Sequence, residues 1–166
     1  MKKNFLFTLL VLGSCFCTNA QSGYHANVEV GGIVGVSDYG DNGFSVLTSH
    51  GFMLNSSLFL GLGVGYEYYM GWDVYSVPVY ANAKYYFLNG RWSPFIDAKI
   101  GYSCSGALGL YANPSVGVRY AFNDKYGVTV SAGYNMQCET FYYVDSPDDE
   151  FRELMGGFSV KVGFEF

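Results

Sequence analysis

The sequence predicts an all-β protein folded as an eight-stranded antiparallel up-and-down barrel. Three observations predict it. Large apolar residues recur at every second position over eight separate stretches. Charged residues keep to the opposite phase of those stretches. The composition sets 19% aromatic residues and 22 glycines against only 14% charged residues, where an ordinary soluble domain carries about 25%.

At 166 residues the chain is one domain. It has no apolar run of about 18 residues or more, so a helical membrane span is excluded. Residues 1–20 read as a signal peptide: Lys2 and Lys3 are basic, Phe5 to Leu12 are apolar, and Thr18-Asn19-Ala20 offers a cleavage site before Gln21. The alternative is a lipoprotein box at Leu12-Gly13-Ser14-Cys15, with Cys15 acylated. Either reading exports the protein. Cleavage after Ala20 removes two of nine basic residues and leaves seven against 14 acidic, a net charge of −7. Such a surface argues against nucleic acid as a partner.

Residues 21–166 hold the eight segments. The first, 24–36, carries Tyr24, Ala26, Val28, Val30, Val34 and Val36 on one face. The second, 43–55, carries Phe44, Val46, Phe52 and Leu54, and turns at Asn55-Ser56-Ser57. The third, 58–70, carries Leu58, Leu60, Leu62, Val64, Tyr66 and Tyr68. The fourth, 76–88, carries Val77, Val79, Ala81, Ala83, Tyr85 and Phe87, and ends at Asn89-Gly90, a hairpin signal. The fifth, 94–104, carries Ile96, Ala98, Ile100 and Tyr102. The sixth, 111–122, carries Ala112, Pro114, Val116, Val118, Tyr120 and Phe122, before a turn at Asn123-Asp124. The seventh, 126–139, carries Tyr126, Val128, Val130, Ala132, Tyr134 and Met136. The eighth, Gly157 to Phe166, carries Phe158, Val160, Val162, Phe164 and Phe166. Connections after even segments are tight; those after odd segments are mostly longer, Phe141 to Leu154 being the longest.

Alternation alone does not say which face points out, because a soluble barrel has the same period with its apolar face inside. The charges Glu29, Glu67, Lys84, Asp97, Lys99, Arg119, Glu139, Lys161 and Glu165 all share one phase. That phase is rich in glycine, from Gly31 and Gly35 to Gly133 and Gly163. Glycine weakens a water-facing strand but suits a crowded narrow lumen. Aromatic residues of the apolar phase fall near the segment ends. Tyr24, Phe52, Tyr85, Phe87, Tyr120, Phe122, Tyr126, Phe164 and Phe166 form one ring, and Phe44, Tyr66, Tyr68, Tyr102, Tyr134 and Phe158 the other. Two girdles around an aliphatic band fit a bilayer, with the apolar phase outward: a transmembrane β-barrel with both termini on the periplasmic side.

On these features the chain resembles the small outer-membrane β-barrel (porin-like) family of Gram-negative bacteria, over Gln21 to Phe166. The last strand resembles the signal read by the barrel assembly machinery, in Phe158, Val160, Val162, Phe164 and the terminal Phe166; it departs from that signal at Lys161, where glycine is favoured. The resemblance implies residence in the cell outer membrane, with outer-membrane lipid and the assembly machinery as partners and an unidentified extracellular ligand. It does not imply an activity.

The inward charges, five acidic and four basic, are expected to pair as a lumen network, because unpaired buried charge is unfavourable. Glu67 with Lys84 is one expected pair. No cofactor or metal set is evident: the acidic stretch Asp145 to Glu153 lacks the spacing of a calcium loop. Hydrolytic chemistry needs a histidine working with a nucleophile and a carboxylate. His25 lies at the start of the first segment. His50 lies on the apolar phase, as a tolerated polar residue or a bulge. Cys104 and Cys138 lie on segments separated by one strand, roughly 10 Å apart, beyond disulfide reach. The leading expectation is a non-enzymatic structural or surface-interaction scaffold with a side-chain-filled lumen. A small passive channel is the alternative, ahead of a lipid A-modifying enzyme.

Overall fold

The computed structural model describes residues 23–36, 41–71, 73–123, 125–142 and 150–166, with 138–142 and 150–154 described by their backbone. The expected signal peptide and Asp145 to Asp149 of the acidic loop lie outside the described residues. Eight strands form: β1 (Tyr24–Gly35), β2 (Gly43–Met53), β3 (Leu58–Tyr69), β4 (Val74–Tyr86), β5 (Trp92–Gly106), β6 (Gly109–Ala121), β7 (Gly127–Tyr142) and β8 (Glu150–Glu165). Each pairs antiparallel with its neighbours in the chain, and β1 pairs with β8, so the sheet is a closed barrel without edges.

The phase of every strand agrees with the sequence reading. Ile100 is 66% exposed, while Lys99 beside it is fully buried. Leu62, Val116, Val160 and Leu110 also lie on the outer surface. The barrel is therefore apolar outside and polar inside, the inverse of a water-soluble barrel. The girdles are contiguous belts. At the short-turn end Tyr24 meets Phe52, Trp92 stacks 4.8 Å from Tyr120, and Tyr126 lies 6.1 Å from Phe164. At the other end Phe44 contacts Tyr66 and Tyr68, and Tyr134 contacts Phe158 at 5.5 Å.

Turn chemistry sets the short connections. Asn55 Oδ1 accepts from the amides of Ser57 and Leu58, and Asn123 Oδ1 from those of Lys125 and Tyr126. Two connections differ from expectation. Residues 107–108 alone join β5 to β6; Gly106, at φ 75°, supplies the left-handed backbone that lets both strands run on. The β7–β8 connection is also shorter, because pairing continues to Tyr142↔Glu150. Pairing of β8 with β1 ends at Gly35↔Gly157, and that of β7 with β6 at Tyr111↔Gln137. The outer part of β7–β8 is thus a two-stranded hairpin standing about 17 Å above the barrel rim, from the rise per residue. Its alternation is weak in sequence because neither of its faces packs on the barrel.

Large side chains fill the lumen in three layers. Phe59, Tyr86 and Phe95 form the layer nearest the short turns. Leu47, Tyr80 and Tyr111 form the middle layer, and Ile33, Tyr69 and Met155 the layer nearest the rim of the hairpin. The inner glycines lie against these residues. A Cβ on Gly61 would stand 2.8 Å from Phe59 Cζ, and one on Gly117 2.6 Å from Phe95 Cζ.

Candidate functional site

The polar interior is the chemically distinctive part of the molecule. Eight of the nine expected lumen charges point inward; the side chain of Glu139 lies outside the described residues. Six of the eight form one ion-pair network. Lys84 Nζ lies 3.0 Å from Glu165 Oε1 and 3.5 Å from Glu29 Oε1. Lys99 Nζ lies 2.8 Å from Glu29 Oε2 and also pairs with Asp97. Arg119 Nε lies 2.6 Å from Glu165 Oε2. The Tyr86 hydroxyl donates to Glu165 at 2.8 Å, Lys84 sits 4.8 Å from the centre of the Phe95 ring, and Arg119 5.8 Å from that of Tyr86. In this low-dielectric interior each cation thus faces a carboxylate and an aromatic face.

Glu67 does not pair with Lys84. It faces Ser76 across the ladder, while Lys84 faces Phe59 and Asp97 far along the strand, so no rotamer joins them. Glu67 instead accepts from the Tyr69 hydroxyl at 2.9 Å, the Tyr111 hydroxyl at 3.1 Å and Asn135 Nδ2 at 2.8 Å. Lys161 donates to Asn113 Oδ1, and Asn113 Nδ2 donates to Asn135 Oδ1 at 3.3 Å. Two amides therefore stand between the Lys161 ammonium and the Glu67 carboxylate. Lys161 fits at the place of the usual glycine because Gly31 faces it; a Cβ there would meet the lysine stem.

The assembly-signal residues Phe158, Val160, Val162, Phe164 and Phe166 all face outward. The Phe166 backbone exchanges hydrogen bonds with Ala26 at 2.9 and 2.7 Å, closing the seam at its last residue.

His50 sits in unbroken register between Ala26 and Leu62, so it marks no bulge. Its Nδ1 lies 2.7 Å from the Tyr24 hydroxyl and its Nε2 3.1 Å from Thr48 Oγ1. Thr48 Oγ1 donates to the Asn27 carbonyl. These contacts are satisfied together when Tyr24 donates to Nδ1 and Nε2–H donates to Thr48. In that arrangement the histidine takes no proton from the threonine; it cross-links β1 and β2 on the outer face. Cys104 is a free, exposed thiol. No metal-binding cluster occurs among the described residues.

Sequence reasoning missed Tyr80, Tyr111, Tyr86, Phe59 and Phe95 as lumen residues, and Asn113 and Asn135 as its connectors. The signal was present: large residues in the polar phase, with glycines in the facing strand.

No protein-family model and no curated protein matches the sequence. Solved structures do match. Neisserial surface protein A aligns with a TM-score of 0.65 at 15% identity, over 86% of this chain and 95% of its own. The N-terminal β-barrel domain of Pseudomonas aeruginosa OprF aligns with a TM-score of 0.53 at 17% identity, over 86% and 97%. The Escherichia coli outer membrane protein W gives 0.50 at 14%, over 87% and 97%. These neighbours are bacterial outer-membrane barrels, and the likeness at such identities is one of fold.

Proposed function

We propose that the protein is a non-enzymatic integral component of the bacterial outer membrane: a plugged scaffold that holds connections and a raised hairpin at the cell surface. The three filled layers of the lumen carry this reading, since a channel needs a continuous aqueous path and these side chains occupy its place. The apolar exterior between two aromatic belts and the outer-membrane neighbours support the location. In this reading the short turns and both termini face the periplasm, the barrel assembly machinery engages the last strand, and the surface hairpin meets a ligand not yet identified.

Two measurements test it. Folded protein is expected to migrate differently on gels with and without boiling; protein that stays soluble without detergent overturns the membrane assignment. In planar bilayers the purified protein is expected to give no steady conductance; reproducible open channels overturn the plugged scaffold in favour of a passive pore.

A further inference from the structure

The mouth of the barrel at the short-turn end is a basin of about 700 Å³. The β2–β3, β4–β5 and β6–β7 turns form its wall, and His25, Tyr86, Arg119 and Glu165 lie at its base. The Phe59–Tyr86–Phe95 layer underlies it, with Tyr86 and Phe95 ring centres 5.9 Å apart. A molecule entering here stops here, so the basin suits binding and not passage.

Its chemistry is one-sided. Arg91 and Arg119 line it, and both are donors only. The one carboxylate on its lining, Glu165, is already engaged by Lys84, Arg119 and the Tyr86 hydroxyl. Asn55 and Asn123 have committed their side-chain oxygens to turn amides, so each presents its Nδ2–H donors. Arg119 Nε is buried and ion-paired with Glu165, yet out of line for a hydrogen bond. A buried guanidinium donor without a hydrogen-bond acceptor, beside a second arginine in a dead-end cavity, calls for an anionic partner.

We propose that this basin is a binding site for a small organic polycarboxylate, received by Arg91 and Arg119. Carboxylates match the planar donor fork of arginine and the amide donors of the rim. The site lies apart from the surface hairpin, so its fate is separate from that of the scaffold reading.

The test uses the full mature protein, isotope-labelled and folded in detergent micelles, titrated with citrate while amide and arginine side-chain resonances are followed. The expected result is saturable shifts at His25, Gly90, Arg91 and Arg119, with a Kd of about 1 mM or tighter. Triethyl citrate, which lacks the charges, is expected to give none. Arg91 is exposed, so Arg91→Gln preserves the fold, and it is expected to weaken citrate about tenfold, the loss of one charge-assisted hydrogen bond. The proposal is overturned by an absence of saturation, by equal shifts with triethyl citrate, by unchanged affinity in Arg91→Gln, or by shifts centred on the opposite end of the barrel.

Discussion

Gly63 lies directly beneath the ring of Tyr80, its partner across the β3–β4 ladder. The Tyr80 hydroxyl reaches on to the Thr48 carbonyl at 3.0 Å and to Ser49 Oγ at 3.2 Å. The glycine makes room for a ring, and the ring ties β4 to β2 through the lumen. Gly63→Val is expected to destabilise the barrel by about 1–3 kcal/mol or to block folding, since the ring has no other space. Urea unfolding in lipid vesicles measures the effect. Gly63→Val together with Tyr80→Ala is expected to recover part of the loss; a pair no better than the single variant counts against the packing explanation.

Lys84 holds Glu165 and Glu29 together at the centre of the ion-pair network. Lys84→Met leaves two buried carboxylates short of a cation and is expected to lower stability by about 3–5 kcal/mol. Lys84→Met with Glu29→Gln is expected to cost less than the single substitution, and a double-mutant cycle reads that coupling.

Val130 stands on the outer face between the belts, 53% exposed, facing Val118 and Val162. Val130→Arg is expected to destabilise the bilayer-embedded barrel by about 2–4 kcal/mol, the range for arginine at mid-depth. Arginine in place of Tyr126, at the belt, is expected to cost little by the same scale. Equal effects at the two depths would speak against a lipid-facing surface.

Deleting Phe166 removes both seam bonds to Ala26 and the terminal aromatic. The level of folded protein in the membrane is expected to fall more than the unfolding midpoint of the protein that does fold. Immunoblots of membrane fractions beside urea titrations compare the two, and normal membrane levels would refute the assignment of an assembly role.

Strand number, phase and the belts were legible in the sequence because a bilayer-facing barrel imposes one rule on every strand. Val30 and Val162 obey the same alternation though they come from opposite ends of the chain. What lay inside was less legible. The expected Glu67–Lys84 pair requires a register, and register follows from where turns close; neither Gly106 nor the Ser76/Pro78 irregularity announces itself by period. The inward rings were written in the polar phase, but their meaning depends on which glycine faces them. The β8 start was missed by seven residues because the raised hairpin has no packed face to enforce alternation.

The pairing of β1 with β8 also orders events in time. Every other ladder joins strands adjacent in the chain and can begin as a local hairpin. The seam joins Asn27 to Glu165, so it cannot begin until the last residues have been made and exported. Until then two long strand edges stay open, and each is a template for aggregation. Non-local pairing of this kind is slow as well as late. The molecule is therefore most vulnerable just before it is finished, and a chain of this topology depends on being kept apart from its neighbours until its two ends meet.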